Sequence, residues 1–334
     1  MILVTGGTGL VGAHLLLALT QGASKIRAIY RTEQSIAKTR RLFAFAKAES
    51  RFEKIEWIAS DLFDLPALDT AFQGVSQVYH SAGLISFDPA DYHALRKTNI
   101  EGTANMVNLA LAHQVDKFAY VSSVAALGDP VEGRIINEDT PWDPDRKHHD
   151  YAISKYGGEL EVWRGTQEGL DAVIINPGGI LGEGFYRAGS GAYFRLAAMQ
   201  LPYYPTGTTG FVDVKDVVQI LITLMTGPIK NEAFVVVAAN ANHRDVLTQI
   251  AKQLEVKAPR KPLRKWMFLL FLIFDTLRHV LTRKRRRVFL TTYTSMTSRE
   301  LYDAGKSETL IPFQYTALER TLERVCSDFK SYAR

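Results

Sequence analysis

Cysteine is almost missing from this chain. Among 334 residues there is one, Cys326, so no intrachain disulfide can form. A lone thiol suits a reducing compartment. Long apolar runs are missing too. The greasiest stretch, Trp266 to Phe274, is nine residues, whereas a membrane-crossing helix needs about 20. Asp275 and Arg278 then interrupt it. Metal-ligand spacing is also lacking. His148 and His149 are adjacent, but no third ligand stands at a recognisable distance, so no metal is assigned. No repeat or low-complexity tract interrupts the sequence. The opening "MILVTGGTG" has no basic region before a long apolar core. It reads as a strand and not a signal peptide, which gives a cytoplasmic expectation.

A net positive charge is lacking over most of the chain, although the whole carries +5. Residues Arg260 to Arg287 hold ten Lys or Arg and one acid, Asp275, so this segment carries +9 and the remainder −4. With the basic excess confined to one place, a general nucleic-acid surface is not indicated.

What is present is an ordinary globular composition, 46% apolar and 22% charged. The length allows one large domain, or a domain with a smaller appendage. In the first half, apolar runs alternate with helical spacing. The strands read "ILVTGG", "KIRAIY", "KIEWIASD", "QVYHSAG", "KFAYVSS" and "DAVIINPGG". The intervening stretches, such as "LVGAHLLLALTQGA" and "NIEGTANMVNLALAHQ", have the period of helices. The strands are apolar on both faces, as in a parallel sheet covered by helices. The alternation predicts right-handed βαβ units and an α/β doubly wound sheet. Beyond Pro177 it loosens, which suggests a smaller substrate-binding part at the sheet's carboxyl edge.

"VTGGTGLVG" puts Gly6, Gly9 and Gly12 at the turn from the first strand into a helix. Gly6 permits the tight turn, Gly9 admits a pyrophosphate to the backbone, and Gly12 allows close packing. The helix start then offers free N–H groups to the phosphates. This is the pattern of a dinucleotide site. An acidic residue at the end of the second strand would favour NAD(H). The chain has Tyr30-Arg31 there. A guanidinium grips a 2′-phosphate, so NADP(H) is favoured over NAD(H).

"DYAISKYGGELE" holds Tyr151 and Lys155, one helical turn apart. With 14 Tyr and 17 Lys, chance supplies about 0.7 such pairs, so the pair means little until its neighbours are added. Those neighbours resemble the extended short-chain dehydrogenase/reductases, the NAD-dependent epimerase/dehydratase superfamily. The motifs are "TGGTGLVG", "SDL" (60–62), "HSAG" (80–83), "TNIEGT", "YVSSVAALG", "YAISK", "NPGGILG" and "GFVDVKDVV", in family order. The resemblance is strong to about residue 182 and diffuse afterwards.

The resemblance implies a Rossmann-type domain over 1–176 and a mainly substrate-binding region over 177–334. It implies Ser123, Tyr151, Lys155 and Asn99 as catalytic residues. Cofactor contacts would come from Gly6, Thr8, Gly9, Leu10, Val11, Gly12, Arg31, Asp61, Leu62, Ser81, Ala82, Gly83, Val121, Tyr151, Lys155, Pro177, Gly179 and Ile180. Physically, Ser123 can hydrogen-bond a carbonyl or alcohol oxygen, and Tyr151 can pass it a proton. A phenol ionises near pH 10, and the Lys155 ammonium is expected to lower that value. Asn99 would hold a relay water or bend its helix; a satisfied core asparagine is the plainer alternative. Trp142, His148 and His149 lie in the loop before Tyr151, within reach of a substrate.

"INPGGILGEG" and "IRAIYR" look like the dihydroflavonol-reductase and 3β-hydroxysteroid-dehydrogenase side of the family. The expected activity is NADP(H)-dependent interconversion of a ketone or aldehyde and an alcohol on a small, lipophilic substrate. A nucleotide-sugar epimerase with bound NAD is the alternative, with Arg187 and Arg195 as candidate diphosphate contacts. A silent NADP-sensing protein is the alternative of another class. A homodimer through the Tyr151 helix accords with the resemblance. The segment 260–287 leaves two readings open: an interfacial helix peripheral to a membrane, or a helix covering the site or a subunit contact.

Overall fold

The computed structural model describes residues 1–129, 135–187, 189–286 and 288–332. Arg287, which closes the basic segment, lies outside them.

The first half builds β1 (Ile2–Thr5), α1 (Leu10–Leu19), β2 (Ile26–Tyr30), α2 (Glu33–Phe45), α3 (Glu49–Phe52), β3 (Ile55–Ala59), α4 (Leu65–Phe72), β4 (Gln77–His80), α5 (Tyr92–Arg96), α6 (Gly102–Ala112), β5 (Lys117–Val121), α7 (Asp150–Gln167) and β6 (Ala172–Pro177). The second half adds β7 (Gly179–Leu181), α8 (Ala192–Ala198), β8 (Tyr203–Tyr204), β9 (Thr208–Asp213), α9 (Val214–Thr226), β10 (Glu232–Val236), β11 (Ala239–Asn242), α10 (His243–Leu254), β12 (Lys261–Pro262), α11 (Lys265–Thr282), α12 (Leu290–Thr297), α13 (Gly305–Leu310) and α14 (Leu318–Tyr332).

Seven strands form one parallel sheet in the order β10-β6-β5-β4-β1-β2-β3. The six strands expected from the alternating runs are all in it. The seventh comes from beyond Pro177. β5 and β6 are buried along their whole length, because helices cover both faces. Leu15 and Leu16 of α1, Phe43 of α2 and Val217 and Leu221 of α9 fill one face. Leu68 and Phe72 of α4, Met106 and Val107 of α6 and Val162 of α7 fill the other. Chain direction across the sheet reverses between β1 and β4, and ligands bind at the carboxyl edge beside such a reversal.

The smaller part is a three-stranded sheet, β11-β9-β7, packed with α8, α10 and α14 around Phe194, Phe211, Ile250 and Val325. It sits on the carboxyl edge of the main sheet through the short step from β6 to β7.

Candidate active site

The first-strand turn comes first because it is the most local. Gly6 has φ of 70°, and a side chain there would press to 2.7 Å from the Ala82 nitrogen. Only glycine avoids both the strain and the clash. A side chain at Gly12 would run into the Gly6 carbonyl, so Gly12 serves the turn itself more than the strand beneath. Gly9 is the N-cap of α1, lacks a side-chain cap and is exposed. Thr8, Leu10 and Val11 stand around it, partly exposed. The first N–H groups of α1 therefore remain open at the sheet edge.

The ends of the neighbouring strands continue the same rim. Arg31 is exposed just past β2. Asp61, past β3, caps the Phe63 and Asp64 nitrogens with its carboxylate, and Leu62 is buried beside Gly102. Past β4, the Ser81 hydroxyl donates to the Thr5 carbonyl and the Ala82 N–H to the Thr5 hydroxyl. The structure thus gathers Ser81, Ala82 and Gly83 against the glycine turn. A Cβ at Gly83 would lie 3.8 Å from Lys155 Nζ, which joins the rim to α7. Pro177, Gly179 and Ile180 close the opposite side, at the step into β7.

Helix α7 supplies the reactive side chains. His149 caps it, its Nδ1 accepting from the Ala152 N–H at 3.0 Å. Tyr151, Lys155, Glu159 and Val162 form one buried stripe along it. The stripe lies deep because Gly158 lets α7 approach: a side chain there would collide with Tyr120 Oη and the Asn99 carbonyl.

Tyr151 is 9% exposed. Burial pushes its phenol above the usual value, and a hydrogen bond with Ser123 pulls the other way. The two hydroxyls expected to meet a substrate oxygen are therefore neighbours. Ser123 is placed at the N-cap of a short turn after β5, accepting from the Ala125 N–H at 3.2 Å.

Lys155 differs from expectation. Its ammonium donates to Tyr120 Oη at 3.0 Å and to the Val121 carbonyl at 2.9 Å. Burial lowers Lys155 to about 8, and the Glu159 carboxylate opposes the fall. Glu159 lies one further turn along the stripe. Burial raises it to about 7, and Ser122, Asn176 and Lys155 oppose that rise. Asn176 Nδ2 donates to this carboxylate and to the Ser123 carbonyl, the latter at 3.1 Å. Glu159 and Asn176 were not anticipated as site residues. The available signal was a charged residue at the helical spacing of Lys155, on a face otherwise buried.

Asn99 lies in a single π turn, Lys97–Glu101, so its helix is indeed distorted there. Its amide donates to the Leu84 carbonyl and to Ser154 Oγ, both at 2.9 Å, and its oxygen accepts the Leu84 N–H at 2.7 Å. It fixes the strand-to-helix connection at Leu84. Beneath it, His80 is fully buried between Thr5 and Thr103, 2.7 and 3.1 Å away, and burial drops its pKa to about 3. His80 is therefore a neutral spacer stacked on Tyr120 at 5.5 Å.

Of the loop aromatics, Trp142 stacks between His148 and Tyr156, at 3.8 and 4.3 Å, away from Tyr151. His149 and Phe87 instead flank the Tyr151 ring, each centred 6.1 Å from it. Among the described residues no cluster of His, Cys, Asp or Glu could hold a metal.

An open glycine turn, a bare helix start and a Ser/Tyr/Lys group at the carboxyl edge of a doubly wound sheet define an NAD(P)-dependent dehydrogenase/reductase of the extended short-chain type. The comparisons agree. Residues 2–237 match the NAD dependent epimerase/dehydratase family, and the chain belongs to that family. It is 28% identical over 247 residues to sterol demethylase protein B of Methylococcus capsulatus, covering 73% of this chain and 72% of that one. It is 27% identical over 274 residues to tetraketide alpha-pyrone reductase 2 of Arabidopsis thaliana, covering 78% and 83%. UDP-glucose 4-epimerase of Thermotoga maritima, solved with UDP-glucose, shares the fold at a TM-score of 0.77, with 16% identity over 100% of this chain and 99% of that one.

Proposed function

We propose that the protein is an NADP(H)-dependent oxidoreductase interconverting a ketone or aldehyde and an alcohol on a small lipophilic substrate, with Tyr151 as the acid/base. The observation that carries the reading is Tyr151, beside Ser123, on the buried face of α7 that it shares with Lys155 and Glu159.

The residues suit the cofactor. The Gly6–Gly12 turn and the open start of α1 would hold a pyrophosphate. Asp61 and Leu62 would face the adenine end and Arg31 a 2′-phosphate. Ser81 to Gly83, Val121, Lys155, Pro177, Gly179 and Ile180 would line the nicotinamide end. The nicotinamide supplies the hydride when bound. The protein supplies two hydroxyls that hold the substrate oxygen, and the Tyr151 proton that passes to it in reduction. Lys155 supplies the positive charge that stabilises the phenolate left behind. Glu159 keeps that lysine charged inside a buried site. Asn99 acts as a positioning residue that holds Leu84 beside the site.

A lipophilic substrate accords with Phe87 beside Tyr151 and with Ile85, 59% exposed two residues earlier. It also accords with relatives named for sterol and pyrone chemistry. The sugar-nucleotide alternative has less support. Arg187 and Arg195 are exposed, and Arg195 donates to the Arg187 carbonyl at 3.1 Å. The test is a carbonyl panel with NADPH and NADH, repeated with Tyr151→Phe. Turnover should fall at least about 100-fold with NADPH binding retained. Retained turnover would reject the mechanism, and NADPH binding without oxidation by any carbonyl would reject the activity.

A further inference from the structure

Helix α11 carries a face that nothing else in the described chain covers. Trp266, Leu269, Leu270, Ile273, Phe274, Leu277, Val280 and Leu281 are all exposed, Leu281 to 82%. At about 100° per residue they share one stripe. At 1.5 Å per residue it runs about 22 Å. The opposite face is anchored. Phe268 packs on Tyr293 of α12 at 4.9 Å, and the buried Asp275 accepts from the Val288 N–H and from Arg278. The helix is therefore held in place with its apolar side outward.

Both ends of the stripe are basic. Arg260, Lys261, Arg264 and Lys265 are exposed before it, and Arg283 and Lys284 after it. The segment's one acid, Asp275, is turned inward. No helix among the described residues is long and apolar enough to cross a membrane.

We propose that α11 lies flat in the surface of an anionic lipid membrane, apolar stripe down, with the two basic ends on the headgroups. The charge pattern selects this occupant over a second copy of the chain. Two such stripes meeting about a two-fold axis would bring basic end against basic end, whichever way they ran. A lipid surface offers apolar depth under the stripe and negative charge at both ends.

The placement reaches the catalytic cleft. In the turn after α11, Arg285 is paired with Asp88 at 2.9 Å and with Asp91. Thr291 donates to the Phe87 carbonyl at 2.8 Å. Phe87 flanks Tyr151. The membrane-facing hairpin thus holds the segment that covers the reactive tyrosine. Lipid binding itself does not depend on the proposed reaction.

The test is flotation of the full chain with vesicles of phosphatidylcholine alone, and of phosphatidylcholine with an equal part of phosphatidylglycerol. The wild-type protein should float with the anionic vesicles only, and less as salt rises. Leu277→Asp with Leu281→Asp should abolish flotation. Arg283→Gln with Lys284→Gln should weaken it about 25-fold, since each charge near the surface contributes about fivefold. All four side chains are exposed, so unchanged thermal melting confirms folded variants. Failure of the wild type to float, or equal flotation of all three proteins, would overturn the proposal. So would a wild-type dimer that the two aspartates dissociate, because it would assign the face to a second copy.

Discussion

Replacing Glu159 with glutamine separates the charge of the buried stripe from its packing. Glutamine keeps the shape and still accepts from Asn176 Nδ2. It removes a carboxylate one helical turn from Lys155, where Cβ atoms lie about 6 Å apart. At that separation and an effective dielectric near 20, the lost attraction is about 3 kcal/mol, or about two pKa units. Burial already holds Lys155 down at about 8, so the variant drives it lower still. A lysine is charged below its pKa. The rate that needs its charge therefore fails on the alkaline side, and the failure moves to lower pH in Glu159→Gln. On the alkaline side of both values, a two-unit shift lowers the charged fraction by up to about 100-fold. At the acid end, where the lysine is charged in both proteins, the rates should meet. The assay is kcat against pH with NADPH and the best carbonyl from the panel, with circular dichroism as the control for folding. Superimposable alkaline limbs in a folded variant would refute the idea that Glu159 keeps Lys155 charged.

Arg31→Ala should raise the KM for NADPH by about 10- to 100-fold, the worth of a charge-assisted contact, and leave NADH unchanged; equal effects on both cofactors would remove Arg31 from the phosphate site. Gly158→Ala should lower stability by about 1–3 kcal/mol, seen as a reduced Tm, because its methyl enters space held by Tyr120 and Asn99. Acid should destabilise the fold through two buried histidines, with Glu159, held near 7, offsetting part of the effect. His14 and His80 are both held near 3 by burial, against 6.5 in an unfolded chain. The unfolded state binds more protons between those values, so stability falls as pH drops from 6.5 toward 3. Urea midpoints at about pH 7 and about pH 5 would show it, and a flat response would contradict the burial.

Six strands of the main sheet were legible because each is a short apolar run bounded by glycine or polar residues. β10 was not. Its "EAFVV" resembles many short apolar runs, and it joins β6 only after an excursion through β7, β8 and β9. Gly6, Tyr151 and Lys155 were legible for a local reason: a tight glycine turn and a spacing of one helical turn are visible within a few residues of sequence. Glu159 shares that locality and was missed, because charge on a helix usually means a solvated face. Only packing showed this face to be buried.

The sequence by itself determined the alternating architecture, the glycine turn and the placing of Tyr151 and Lys155 on one face of a helix, since each depends on periodicity or on neighbours within a few residues. Tertiary structure decided the rest. It alone brought Asn176 to both Ser123 and Glu159, turned the Lys155 ammonium onto Tyr120, and made His80 a neutral spacer. It also settled which side of α11 is anchored and which is bare. All of these depend on contacts between segments far apart in the chain, and on how much water those contacts exclude.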